Sequence, residues 1–402
     1  MPADNPHRRR SRLALLLILL AVPVLAGCKQ TGASADPGSA KPPAAASGTA
    51  PADPPQQASL RPKHVFVIVL ENKGYSETFG PDSPAPYLSK QLTSQGELLS
   101  QYYGIGHNSL DNYIALISGQ APNPQTQADC QVYSDFVGAP VLGPDGQAIG
   151  QGCVYPPDVK TLAGQLQEAG LTWGAYLEDM GNSATQPDTC RHPALNSQDN
   201  TQSASVGDQY AARHNPFVYF HSIIDSNTCA RHDVPLKRLP QDLQSVKTTP
   251  NFVFIAPNLC HDGHDSPCVD GEPGGLVSAD DFLRQWIPVI RSSPAYQLDG
   301  MIVILFDEAE FGNSNTDASA CCNEQPGPDS PLPGIVGPGG GRTGALILSQ
   351  YVVPGSVNDT PYNHYAFLKS VEQLFGLGYL GYAGQSGLKA FGGDVYNRQM
   401  TP

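Results

Sequence analysis

Short uninterrupted apolar runs stand out along the chain, separated by longer stretches with helical spacing of apolar residues. His64–Leu70 is the first run; 251–256, 301–306 and 344–349 follow, with 171–176 weaker. Strands that are apolar on both sides belong to a sheet covered on both faces. Helical spacing falls between them, at 87–100, 159–169, 279–290 and 365–375. This alternation predicts an α/β fold, a doubly wound and mostly parallel sheet with helices on both faces. Such sheets collect their chemistry at the carboxyl ends of the strands. Polar residues follow three of the runs: Glu71-Asn72, then Pro257-Asn258 with 262–265, then Asp307-Glu308. The Gly/Pro/Asn-rich stretch 310–341 is long enough to be a lid or specificity loop.

The ends of the chain read differently. Arg8, Arg9, Arg10 and Arg12 form a basic head, and 13–24 an apolar run too short to span a bilayer comfortably. Leu25-Ala26-Gly27-Cys28 then resembles the lipobox of bacterial lipoproteins, which makes Cys28 the expected lipidation site; the alternative is an ordinary signal peptide. Residues 29–62 are Ala, Pro, Gly, Ser and Gln with few large apolar side chains, a composition that predicts a disordered tether. As a flexible coil it would span roughly 30 Å. The expected organisation is therefore a leader over 1–28, a tether over 29–62 and one domain over 63–402. The domain would be exported and tied to the cell envelope through the lipid.

Charge and cysteines narrow the compartment and partners. The chain carries 23 Lys+Arg against 37 Asp+Glu, a net charge of -14; without the leader the balance is 19 against 36, or -17. That field argues against a nucleic-acid partner and welcomes a cation. Nine cysteines less Cys28 leave an even eight, which in an exported chain suggests four disulfides. Proximity suggests Cys130 with Cys153 and Cys190 with Cys229. Adjacent Cys321 and Cys322 are expected to pair elsewhere, with Cys260 and Cys268, because a bridge between neighbours is strained.

A serine that attacks a phosphate ester needs activation, a cation for the phosphoryl oxygens and a proton for the leaving group. Carboxylates, histidines and a carboxamide oxygen are suitable ligands for a divalent metal. Ser109 lies in the segment GHNSLDNY, where a Gly and polar loop gives way to a helix from Asn112 onward. A helix N-terminus favours an anion, although serine is equally a preferred N-cap.

VIVLENKGYSETFG, GHNSLDNYIALISG, PNLCHDGHD, Asp307-Glu308 after MIVILF, and YNHYAFLKSVEQLFGLGYLGYAG occur in this order. Together, over about 63–384, they resemble the phosphoesterase family of secreted acid phosphatases and bacterial phospholipases C, within the alkaline phosphatase superfamily. The resemblance implies an alkaline-phosphatase-like fold and a divalent metal ion of undetermined identity. It makes Ser109 the nucleophile and Glu71, Asn72, Asp307 and Glu308 metal ligands. Asp262, His264 and His364 fall at the family's other metal or phosphate-contacting positions. His107 and His214 become phosphate contacts or the general acid, with Asn112 on the substrate side; by its own chemistry Arg342 is a candidate phosphate clamp, its glycine-rich surroundings fitting a flexible, solvent-facing arginine equally well. The chain departs from the pattern at Phe306, often Trp in the family, and at Asn108 and Asp111, often prolines; Asp111 puts the substrate preference in question. The implied activity is hydrolysis of phosphate monoesters through a phosphoserine, with lipid phosphates among the candidate substrates. The alternatives are a phospholipase C-type phosphodiesterase and a non-catalytic binding lipoprotein on the same fold.

Overall fold

The computed structural model describes residues 61–139, 141–312 and 316–398. The expected leader, Cys28 and nearly all of the tether lie outside the described residues.

Eight strands form the central sheet: β1 (His64–Leu70), β2 (Glu97–Leu99), β3 (Trp173–Leu177), β4 (Asp233–Pro235), β5 (Phe252–Ala256), β6 (Gly300–Phe306), β7 (Ala345–Ser349) and β8 (Ser356–Asn358). Their order is β8-β2-β7-β6-β1-β5-β3-β4. All pairings are parallel except those of β7, which runs against both β6 and β2. The sheet is thus mostly parallel, as the unbroken apolar runs predict.

All seven β1 side chains are buried. Val65, Val67 and Val69 pack on one face with α1 (Ser109–Ser118), α2 (Leu162–Glu168) and α5 (His364–Phe375). Phe66, Ile68 and Leu70 pack on the other with α3 (Gly275–Arg291). Each fully buried Val, Ile, Leu or Phe contributes roughly 1.5–3 kcal/mol, an upper bound set against an extended chain. Two apolar faces therefore commit β1 to the middle of the sheet.

Local chemistry sets the helix ends. Thr161 and Asn363 cap α2 and α5, accepting from Gly164 N at 3.1 Å and Ala366 N at 3.0 Å. The stop of α1 is Gly119 at φ 67°, where a Cβ would meet Leu380 O at 2.3 Å.

Three expectations are corrected. The helix expected over 87–100 ends by residue 95, and Glu97–Leu99 becomes β2, pairing with β7. Gly96 makes the break, its Cα lying so close to Ile347 O that a Cβ would stand 2.3 Å away. The helix of the GHNSLDNY segment starts at Ser109 rather than Asn112. Among the described residues the disulfides are Cys130–Cys153, Cys190–Cys229, Cys260–Cys268 and Cys321–Cys322. The first two follow proximity. The cross-pairing expected for the other four cysteines is wrong: Cys260 and Cys268 close their own loop with Cα atoms 5.2 Å apart, so the neighbours Cys321 and Cys322 bridge each other.

Candidate active site

The parallel register of β1 and β6 pairs Leu70 with Phe306, so Glu71 and Asp307 leave the sheet side by side. Asp307 N donates to Leu70 O at 2.9 Å, and Glu71 N donates to Asp262 O at 2.8 Å. The loop after β5 thereby joins the ends of β1 and β6 at one edge, where strand order places a crevice. Asn72 turns the chain with φ 56°, a conformation asparagine tolerates better than most residues.

Acid groups crowd this edge. Asp307 Oδ1 accepts from Asn72 N at 2.9 Å and Glu308 N at 2.7 Å. Asp262 Oδ1 accepts from His264 N at 2.8 Å, and Asn72 Nδ2 donates to Glu71 Oε2 at 3.1 Å. His214 contacts Glu71 through Nε2 and lies 3.7 Å from Asp262 through Nδ1. Ligand atoms of Glu71, His214 and Asp262 lie within 4.8 Å of one another. Among the described residues, Asp307 Oδ2 and Asp262 Oδ2 have no donor in hydrogen-bond geometry, and Glu71 Oε1 meets His214 Nε2.

Burial and mutual repulsion push Asp262, Asp307 and Glu308 well above the usual carboxyl range. Burial acts on Glu71 in the same direction, but the charge and hydrogen bond of His214, with His264 and Arg213, hold it well below that range. Several buried acids, two of them with an oxygen that lacks a donor, form a cradle suited to a divalent cation.

Helix α1 abuts this cradle. Tyr113 stacks on His214 with ring centroids 5.1 Å apart and planes 6° from parallel. Ser109, one turn earlier, shares that helix face and is buried. Before it, Asn108 takes φ 65°, which no proline adopts, so the departure from the family's proline here goes with a different backbone. Leu110 N, in the first turn, donates to Asp129 Oδ1 at 2.9 Å.

The remaining candidates occupy supporting places. Asn112 staples the loop before Ser109: its Oδ1 accepts from Ile105 N at 2.7 Å and Gly106 N at 3.0 Å, and its Nδ2 donates to Gly106 O at 3.1 Å. His364 uses both ring nitrogens on protein, Nε2 with Asp307 O at 2.5 Å and Nδ1 with Tyr102 Oη at 3.0 Å. His107 contacts Glu308 through Nδ1 and Asp317 O through Nε2 at 3.0 Å. Burial lowers both His107 and His364 to about 4. His264 differs: its side chain is 48% exposed, and its Nδ1 lies 3.5 Å from Glu71 Oε2, so it stands at the mouth. Arg342 Nε donates to Ser100 O at 2.8 Å, and its guanidinium covers the Tyr75 ring at 3.9 Å.

Sequence reading passed over four groups. Arg213 is buried beside Asp129 at 3.9 Å and acts on Glu71 and Asp262. Tyr113, Asp129 and Asp317 orient His214, the start of α1 and His107. Tyr113 sits inside a quoted segment next to Asn112, and Arg213 directly precedes His214. Asp129 and Asp317 lie in loops without any local signal.

The chain belongs to the Phosphoesterase family, whose model matches residues 82–378. It is 25% identical over 317 residues to an acid phosphatase of Aspergillus fumigatus, covering 79% of this chain and 55% of that protein. The chain thus spans little more than half the length of that relative. It is 24% identical over 320 residues to a phosphatidylinositol-3-phosphatase of Mycobacterium tuberculosis, covering 80% of this chain and 79% of that one. Among solved structures, a Vibrio parahaemolyticus protein in the alkaline phosphatase superfamily aligns at TM-score 0.47 and 12% identity, over 84% of this chain and 73% of that one.

Proposed function

We propose that this chain hydrolyses phosphate monoesters, with Ser109 as the nucleophile and a divalent cation held by Glu71, Asp262, Asp307 and His214, with Asn72 and Glu308 beside them. The observation that carries the reading is the buried carboxylates of Glu71, Asp262 and Asp307 where β1, β5 and β6 end, Asp262 Oδ2 and Asp307 Oδ2 lacking any donor among the described residues, with Ser109 at the adjoining start of α1. Such a cation, when bound, lowers the cost of negative charge on the serine and phosphoryl oxygens.

The chain's own groups do the rest. Ser109 Oγ, its proton lost to solvent, attacks phosphorus at the start of α1, where the helix dipole favours an anion although Leu110 N is taken by Asp129 Oδ1. His264 at the mouth is placed to give a proton to the departing alkoxide. Water then cleaves the phosphoserine and regenerates the hydroxyl. His107 and His364 hold Glu308 and the Asp307 backbone, and Asn112 holds the loop before the nucleophile. These are positioning roles. Acid-phosphatase names among the relatives support the reaction class. The Mycobacterium tuberculosis relative supports a lipid phosphate as one candidate substrate, which a lipid at Cys28 would bring close. Disulfides among the described residues support export, and no helix among them is long and apolar enough to cross a membrane.

The test is hydrolysis of a chromogenic monoester beside its matched diester, with and without a chelator. The monoester should be cleaved at least tenfold better, about 1.4 kcal/mol of transition-state stabilisation, and chelation should abolish the rate. A diester preference would replace this reading with the phospholipase C-type one.

A further inference from the structure

Next to the acid cradle lies a second hollow of about 420 Å³, in the range of small-molecule sites. Its walls include Tyr75, Ser76, Glu77, Glu310, Asp317 and Arg342. Two more lining residues fix its position. Gly74 comes two residues after Asn72, and Ala309 directly follows Glu308. Asp317 also holds His107 through its carbonyl at 3.0 Å, and His107 contacts Glu308, so the hollow adjoins the cradle on its Glu308 side.

The lining has a definite chemistry. Glu77, Glu310 and Asp317 put three carboxylates on the hollow against the Arg342 guanidinium and the Lys73 ammonium, which lies 3.4 Å from Glu77 Oε1, with the Ser76 hydroxyl as donor or acceptor. The Asp317 carboxylate is already oriented by Ser319 N and Arg342 N, each at 3.0 Å. Several carboxylates facing one space suit a molecule rich in hydroxyl donors, and they repel a second anionic group. A quaternary ammonium is a poorer match. It would need an open aromatic face, but the Arg342 guanidinium covers Tyr75 at 3.9 Å.

We infer that this hollow is the leaving-group subsite, built for a neutral polyhydroxylated alcohol, so that the favoured ester is the monophosphate of a sugar or cyclitol. The inference rests on the phosphomonoesterase reading above. Glu77 and Glu310 are its specificity determinants and take no part in the attack on phosphorus.

The experiment measures kcat/KM of the full chain on glucose 6-phosphate, inositol 1-phosphate, hexyl phosphate and phosphocholine, with p-nitrophenyl phosphate as reference. A further arm uses vesicles containing phosphatidylinositol monophosphate, which separates a lipid-borne cyclitol from a soluble one. The polyol esters should exceed hexyl phosphate and phosphocholine by about tenfold or more. Glu77→Gln and Glu310→Gln should each weaken the polyol esters roughly three- to tenfold, mostly through KM, and leave p-nitrophenyl phosphate within about twofold. Equal rates on hexyl phosphate and the polyol esters, or an equal loss on every substrate in both variants, would overturn the subsite. No hydrolysis of any monoester, the reference included, would overturn the phosphomonoesterase reading and the subsite with it.

Discussion

Ser109 and Asp307 separate two kinds of loss at the scale of single residues. Ser109→Ala deletes the attacking oxygen and leaves the carboxylates in place. Turnover should fall by about three orders of magnitude or more, with melting temperature and metal content nearly unchanged. Substantial residual turnover in that variant would instead indicate direct attack by water. Asp307→Asn keeps an oxygen able to accept from Asn72 N and Glu308 N, so folding should persist. It removes the charge from the partnerless Oδ2, and bound metal and rate should fall together. Metal analysis of the purified variant checks this. Retention of full metal with lost rate would remove Asp307 from the ligand set.

At the scale of elements, α1 depends on a disulfide it does not contain. Cys130–Cys153 closes a loop across a sequence separation of 23, and Asp129 beside it both accepts from Leu110 N and lies by Arg213. Replacing both cysteines by alanine should lower stability by about 3 kcal/mol, read from urea unfolding. Loosening Asp129 should also reduce activity under conditions where the protein remains folded. From the stretch after β6, the Asp317 carbonyl reaches His107 Nε2 at 3.0 Å.

Across the whole molecule, buried carboxyls far from the cradle make stability depend on pH. Burial raises Glu97 to about 7, Asp233 to about 8 and Glu372 to about 9. A raised acid binds its proton more tightly in the folded state, so its contribution is complete below the ordinary carboxyl range. That contribution is lost as pH rises through the folded value. Buried His107 and His364, lowered to about 4, act oppositely: their penalty disappears as pH rises from about 4 to the ordinary histidine value near 6.5. Above about 6.5 the raised acids act without this opposition, and the melting temperature should decline between about pH 7 and 9. Glu372→Gln keeps an acceptor for Leu380 N. It should raise the melting temperature at pH 9 and change little at pH 5. An equal shift at both values would show that Glu372 is not protonated in the folded protein.

The unbroken apolar runs determined the sheet, because a strand buried on both faces needs no partner information to declare itself. They located β1, β5, β6 and β7, and with them the places where Glu71 and Asp307 emerge. Strands β2, β4 and β8 carry only three residues each, too few to show a period, and partner pairing alone makes them strands. The direction of β7 was also beyond the sequence, since an apolar run reads the same either way. At the site, the ordered segments brought forward the carboxylates and Ser109. Only the tertiary structure divided their neighbours into groups facing the cradle and groups holding others in place. Asn112 and His364 have the residue types of ligands, yet backbone groups and a tyrosine occupy their polar atoms. Asp129 and Asp317 act from loops far along the chain, where no local pattern records what the fold brings near. Cysteine pairing divided in the same way: spacing sufficed for two bridges, while the other two depended on which Cα atoms the loops bring together.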